Sequence, residues 1–145
     1  MRTFALVIGL SACCLAPLTA QQRIHTPNAT AGLPFSEAVR VGDLLFLAGQ
    51  IGFRPGTRQL ADTGVAGQTR QTLENIKAVL VHAGSAMERV VKCTVFLTDI
   101  RDFAAMNAVY AEYWPGEKPA RSTVGVKELV FGARVEIECI ALAGR

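Results

Sequence analysis

Apolar and polar residues alternate in two distinct rhythms along this chain. Around Gly42-Asp43, two short strand-like runs face each other, Phe35 to Val41 and Leu44 to Gly49, and the Gly-Asp pair predicts a tight hairpin turn. Leu44-Leu45-Phe46-Leu47-Ala48-Gly49 is continuously apolar, the pattern of a central strand covered on both faces. A possible first strand lies at Ile24 to Thr26, and the stretch from Pro27 to Pro34 has the composition of a loop. The rhythm then changes. Val65, Thr69, Leu73, Ile76, Leu80 and Ala83 recur at steps of three and four, which predicts a helix from about Val65 to Ala83, stopped by Gly84. Met87 to Leu97 is rich in β-branched residues and reads as a strand. A second helix is predicted over roughly Ile100 to Trp114, with Asp99 or Asp102 as its cap and Phe103, Met106, Asn107, Tyr110 and Trp114 on one stripe. Ala120 to Lys127 and Arg134 to Leu142 complete the chain as strands.

The predicted order is β-β-β-α-β-α-β-β, an α+β architecture with two helices covering one face of a mixed sheet. Period-two counting puts Phe46, Val124 and Val126 on the uncovered face. Exposed apolar surface of that extent is uncommon in monomers, so self-association through this face is expected.

The 145 residues favour one domain, and with half of them apolar they can bury a real core. The net charge of +3 is small and its charges are mixed in sign, with no basic stripe interleaved with aromatics, so nucleic-acid binding is not indicated. The first twenty residues differ in kind. Met1-Arg2 is followed by an uncharged apolar stretch and then Pro17-Leu18-Thr19-Ala20, the layout of a cleavable signal peptide, leaving residues 21–145 as the single domain. Two alternatives stay open: a lipoprotein leader, in which Cys13 of Leu10-Ser11-Ala12-Cys13 carries lipid and ties the chain to a membrane, and an uncleaved anchor. The expected location is therefore periplasmic or secreted. Cys93 and Cys139 sit in strand-like runs. An export route would permit a disulfide between them, but two buried small hydrophobes are the preferred reading. Neither the cysteines nor His25 and His82 show metal-ligand spacing, and no metal is expected.

Arg121 stands out within Pro119-Ala120-Arg121-Ser122-Thr123-Val124-Gly125-Val126, as the one charge in a β-rich run. A guanidinium keeps its charge and offers a planar fork of donors that matches a carboxylate. It can therefore grip a substrate acid or join a structural ion pair. Asn107 interrupts an apolar helix face, so its amide needs a hydrogen-bonding partner or faces a site.

Six segments in order carry a family resemblance: Leu47-Ala48-Gly49-Gln50-Ile51, residues 68–76 (QTRQTLENI), residues 91–99 (VKCTVFLTD), Phe103-Ala104-Ala105-Met106-Asn107-Ala108-Val109-Tyr110, Pro119-Ala120-Arg121-Ser122-Thr123-Val124 and Val135-Glu136-Ile137-Glu138. With them the chain resembles the RidA (reactive intermediate deaminase, YjgF-like) family over essentially everything from Ile24 onward. The resemblance implies a chorismate-mutase-like α+β fold and a homotrimer with clefts at the subunit boundaries. It implies hydrolysis of 2-imino and enamine acids, such as 2-iminopropanoate and 2-iminobutanoate, to 2-oxo acids and ammonia without a cofactor. By the same resemblance Arg121 binds the substrate carboxylate, Glu136 positions the attacking water, and Asn107 and the backbone at Gly49 line the pocket. Phe35 stands where many members carry tyrosine and Thr123 where many carry cysteine. On strand alternation Glu136 could neighbour Arg121 across a final hairpin or across a subunit boundary. The competing readings are a non-enzymatic trimer that binds small carboxylates or acts as a chaperone, and a hydrolase of a different substrate.

Overall fold

The computed structural model describes residues 21–27 and 34–144. The leader and the middle of the 27–34 loop lie outside the described residues. Seven strands and two helices make up the fold: β1 (Gln22–Ile24), β2 (Ala38–Val41), β3 (Leu44–Leu47), β4 (Gln50–Ile51), α1 (Val65–His82), β5 (Val90–Leu97), α2 (Phe103–Glu112), β6 (Ala120–Gly125) and β7 (Val135–Leu142). The strands form one mixed sheet in the order β1-β2-β3-β7-β5-β6, with β4 also paired to β7. The α+β expectation holds, with both helices on one face.

The predicted hairpin joins β2 to β3, pairing Val41 with Leu44. Gly42 takes φ 60 at the first turn position, a conformation glycine adopts without steric cost. The α1 stripe is buried as its periodicity requires, and Gly84 (φ 73) ends the helix. There Ser85 N donates to Leu80 O and Gly84 N to Val81 O, the paired bonds of a Schellman cap. The second predicted helix divides into a 3₁₀ turn at Ile100–Asp102, capped by the Asp99 carboxylate accepting from Arg101 N, and α2 proper.

The core lies between sheet and helices, where Leu45, Leu47, Val95, Leu97, Val135 and Ile137 meet Leu73, Ile76, Leu80 and Met106. Three expectations need correction. The run at 44–47 is buried on one face only within the chain: Leu45 and Leu47 face the helices, while Leu44 and Phe46 point the other way and remain exposed. The last two strands are not a hairpin, because β5 lies between them, parallel to β6 and antiparallel to β7. Cys93 and Cys139 are directly opposed across β5 and β7 with Cα atoms 4.1 Å apart, and they form a disulfide rather than two free buried thiols. Among the described residues no helix is long and apolar enough to cross a membrane.

Candidate active site

The register of the sheet separates the predicted site residues into two groups. Arg121 pairs with Cys93 and Thr123 with Val95, so both side chains lie on the helix-covered face. Glu136 pairs with Phe96, which places it on the opposite face. Within one chain, Arg121 and Glu136 therefore do not meet, and the in-chain neighbourhood suggested by strand alternation is excluded. The intervening β5 and the opposite facing of the two side chains are the reason.

The first group is built by α2 and β6. The Arg121 guanidinium lies over the Tyr110 ring, 4.6 Å from its centroid, and 5.6 Å from that of Phe103. Phe103 and Tyr110 are two turns apart on α2, and Asn107 lies between them on the same helix face. Rings placed this way attract the cation through their electron-rich faces but leave the edge of the guanidinium fork without an acceptor. Among the described residues, the Arg121 side chain has no ion pair and no hydrogen bond. A structural ion pair inside the chain is thus not its role. Around it, Asn107 Oδ1, Tyr110 OH and Thr123 Oγ1 are buried without a hydrogen-bond partner. Burial pushes the Tyr110 phenol up to about 12, against the opposing pull of the Arg121 charge, so the hydroxyl keeps its proton. Buried polar atoms are normally paired. Three unpaired ones beside an unpaired cation are the composition of a site that awaits a polar ligand.

The second group surrounds Glu136. Phe35, Gly49 and Glu136 line one cavity of about 810 Å³, together with Phe53, Val79 and Phe131. A Cβ at Gly49 would overlap Glu136 Oε1, so a glycine is what allows the carboxylate to rest against the β3–β4 backbone. Burial, and secondarily the negative charge of Glu138 on the same face, raise the Glu136 carboxyl above the usual carboxylate range. Such a group exchanges a proton with water more readily at moderate pH than an ordinary surface carboxylate does.

Tyr110 joins the first candidate group and Phe53 and Phe131 the second, although no motif marks them in the sequence. Tyr110 was placed on the correct stripe, and its spacing of three from Asn107 is the available signal. Phe131 carried a weaker one, an apolar pair Val130-Phe131 set beside Gly132 in a connection between strands.

A mixed sheet with two helices on one face, an unpaired arginine on the covered side and a half-buried glutamate on the other characterise one class of small α+β protein. Comparison places the chain within that class. The family model described as "Endoribonuclease L-PSP" matches residues 24–143. A RutC family protein of Pyrococcus horikoshii is 48% identical over 119 residues, covering 81% of this chain and 94% of that protein. A mouse protein named 2-iminobutanoate/2-iminopropanoate deaminase is 41% identical over 122 residues, covering 83% and 90% respectively. The solved structure of the Rid-family protein YyfA from Yersinia pestis superposes with a TM-score of 0.82 at 43% identity, over 86% of this chain and all of that one. The chain belongs to the RidA family.

Proposed function

We propose that this protein hydrolyses 2-imino and enamine acids to 2-oxo acids and ammonia. The observation that carries the reading is Arg121, an unpaired guanidinium over the Tyr110 ring with Phe103 nearby, accompanied on the same helix and strand by three unpaired buried polar atoms. Its fork would take the substrate carboxylate in two contacts and so fix the adjacent C=N carbon. Thr123, Asn107 and Tyr110 supply the remaining polar contacts. A water held by Glu136 adds its oxygen to that carbon. The glutamate takes the proton that the water loses and passes it to the nitrogen, giving a carbinolamine; it then carries the carbinolamine hydroxyl's proton to the amino nitrogen in the same way, so that the C–N bond breaks, the C=O forms and ammonia leaves. The mouse relative's name supports the substrate class.

One chain cannot present both groups to one substrate, so the reading requires that Arg121 of one subunit meet Glu136 of the next. A homotrimer with clefts at its subunit boundaries meets this requirement. The exposed apolar sheet face supports such an assembly, with Val41, Leu44, Phe46, Val124 and Leu142 each 37–43% exposed. The reading also places the protein outside the cytoplasm. The leader pattern of residues 1–20 supports export, and so does the Cys93–Cys139 disulfide, since such bonds persist in oxidising compartments.

The test is ammonia release from 2-iminopropanoate generated in situ. The purified protein is expected to accelerate it, and Arg121→Ala to lower kcat/KM by roughly 100-fold or more, because the reacting carbon loses its orientation. Wild type and variant both at the uncatalysed rate would turn the reading toward a carboxylate-binding protein without catalysis.

A further inference from the structure

We infer that the Glu136 side of the site is shaped for a substrate with a bulky apolar side chain, an aromatic or branched 2-imino acid in preference to one of three or four carbons. The inference rests on the deaminase reading and adds the substrate class to it. On a single chain the open cavity at Glu136 measures about 810 Å³, in the size range that takes up drug-sized ligands. The imine of a three-carbon acid would occupy one corner of it. Much of the cavity's lining is apolar: Phe35 contributes a ring without a hydroxyl, and Phe53, Ile51 and Val79 extend the apolar wall.

Phe131 decides the matter further. It is 57% exposed and contributes nothing to the core, yet it is the one non-glycine among the described residues with a positive φ, at 58°. An aromatic residue in the left-handed region carries backbone strain, and Gly132 beside it (φ 71) is the residue type such a bend calls for. What the strained position achieves is a ring at the cavity wall, edge-on to Phe53 with centroids 5.1 Å apart. Phe53 is in turn fixed from behind. Asn75 Nδ2 donates to the carbonyls of both Ile51 and Phe53, and a bridge to Leu60 closes the intervening turn. The aromatic wall is therefore preorganised. The charges at the rim are of both signs, Arg54 and Lys77 against Glu37 and Glu74, so nothing there calls for a second acidic group on the ligand.

The experiment compares imines generated in situ from phenylalanine, leucine and alanine by an amino-acid oxidase, each measured against its uncatalysed hydrolysis. Wild-type kcat/KM is expected to favour the phenylalanine- or leucine-derived imine over the alanine-derived one by about ten-fold or more. Phe131→Gly, which removes the ring and suits φ 58, is expected to hold or raise Tm while lowering that ratio about five-fold or more. Phe53→Leu should lower the aromatic preference by a similar factor. If the protein is active but favours the alanine-derived imine, or if Phe131→Gly leaves the ratio unchanged, the substrate assignment is wrong and the deaminase reading stands. If no imine is accelerated, both fall together.

Discussion

A guanidinium half-buried between a helix and an edge strand ordinarily finds a carboxylate, because desolvating a cation without one is costly. Arg121 finds two aromatic rings instead. The rings repay part of the desolvation cost. They cannot satisfy its N–H donors, and these remain for a ligand. Glu136 is prepared in the opposite sense: burial and Glu138 disfavour its charge, so it holds a proton at higher pH than a free carboxylate. Two consequences follow from that one direction of shift. As a base, Glu136 works when ionised, so activity should fall as pH drops through its raised pKa, giving an acid limb above the ordinary carboxylate value of about 4.3. Glu138→Gln removes the secondary cause only, and should move the limb down part of the way. The stability sign is the reverse of the usual carboxylate case. A raised folded-state pKa means that the stability linked to this group is present below its unfolded pKa and lost as pH rises through the folded one. Glu136→Gln should therefore raise Tm at neutral pH while abolishing most of the activity. A pH–rate profile and a melting curve check both signs, and an acid limb that Glu138→Gln does not move would show that some other group titrates there.

At the scale of elements, the strand pair β5–β7 fixes where one chain carries its Arg121 group and its Glu136 group, on opposite faces of the sheet. β5 carries β6, and with it Arg121, on one side; β7 carries Glu136 itself. The Cys93–Cys139 disulfide crosses this pair at a sequence separation of 46, a loop whose closure entropy corresponds to about 4 kcal/mol in the chain-entropy model. Replacing both residues, as Cys93→Ala/Cys139→Ala, should cost about 2–4 kcal/mol and lower Tm by roughly 10 °C. Calorimetry of the oxidised wild type beside the double variant measures it, and equal melting temperatures would mean that the bond adds nothing to the fold. The same strands show where sequence reading succeeds and where it stops. The α1 stripe and the Gly42-Asp43 turn were legible because helical periodicity and hairpin chemistry act over a few residues. β4 was not, since two residues give no alternation to read. Nor was the pairing of β7 with β5, which spans the whole of α2 and β6 and is chosen by packing rather than local pattern. The disulfide was missed for that reason: two cysteines in apolar strands look like core residues until their register is known. Motif resemblance singles out Arg121, Thr123, Asn107, Gly49 and Glu136 as candidate site residues. Their division between opposite faces depends on the same long-range register and so was hidden.

The whole molecule is explained best by its unfinished surfaces. An apolar sheet face containing Phe46, Val124 and Leu142 is left open, the Arg121 side chain lacks an acid partner, and Glu136, its carboxyl pKa raised by burial, lies on the other side of the sheet. A closed cyclic assembly would resolve all three at once, because the same two patches would meet at every boundary, each subunit giving one half-site and receiving the other. Sedimentation should then give a trimer. A stricter test uses the separation of the two halves. Arg121→Ala and Glu136→Gln should each be inactive alone, one lacking the clamp and the other the base. When the two variants are co-assembled in equal amounts, some boundaries join an intact Arg121 from one chain to an intact Glu136 from the other. Random assembly restores roughly a quarter of the sites, and activity should return to about that fraction of wild type. A site contained within one subunit would give no recovery at any mixing ratio, since every chain would carry its own defect into its own site.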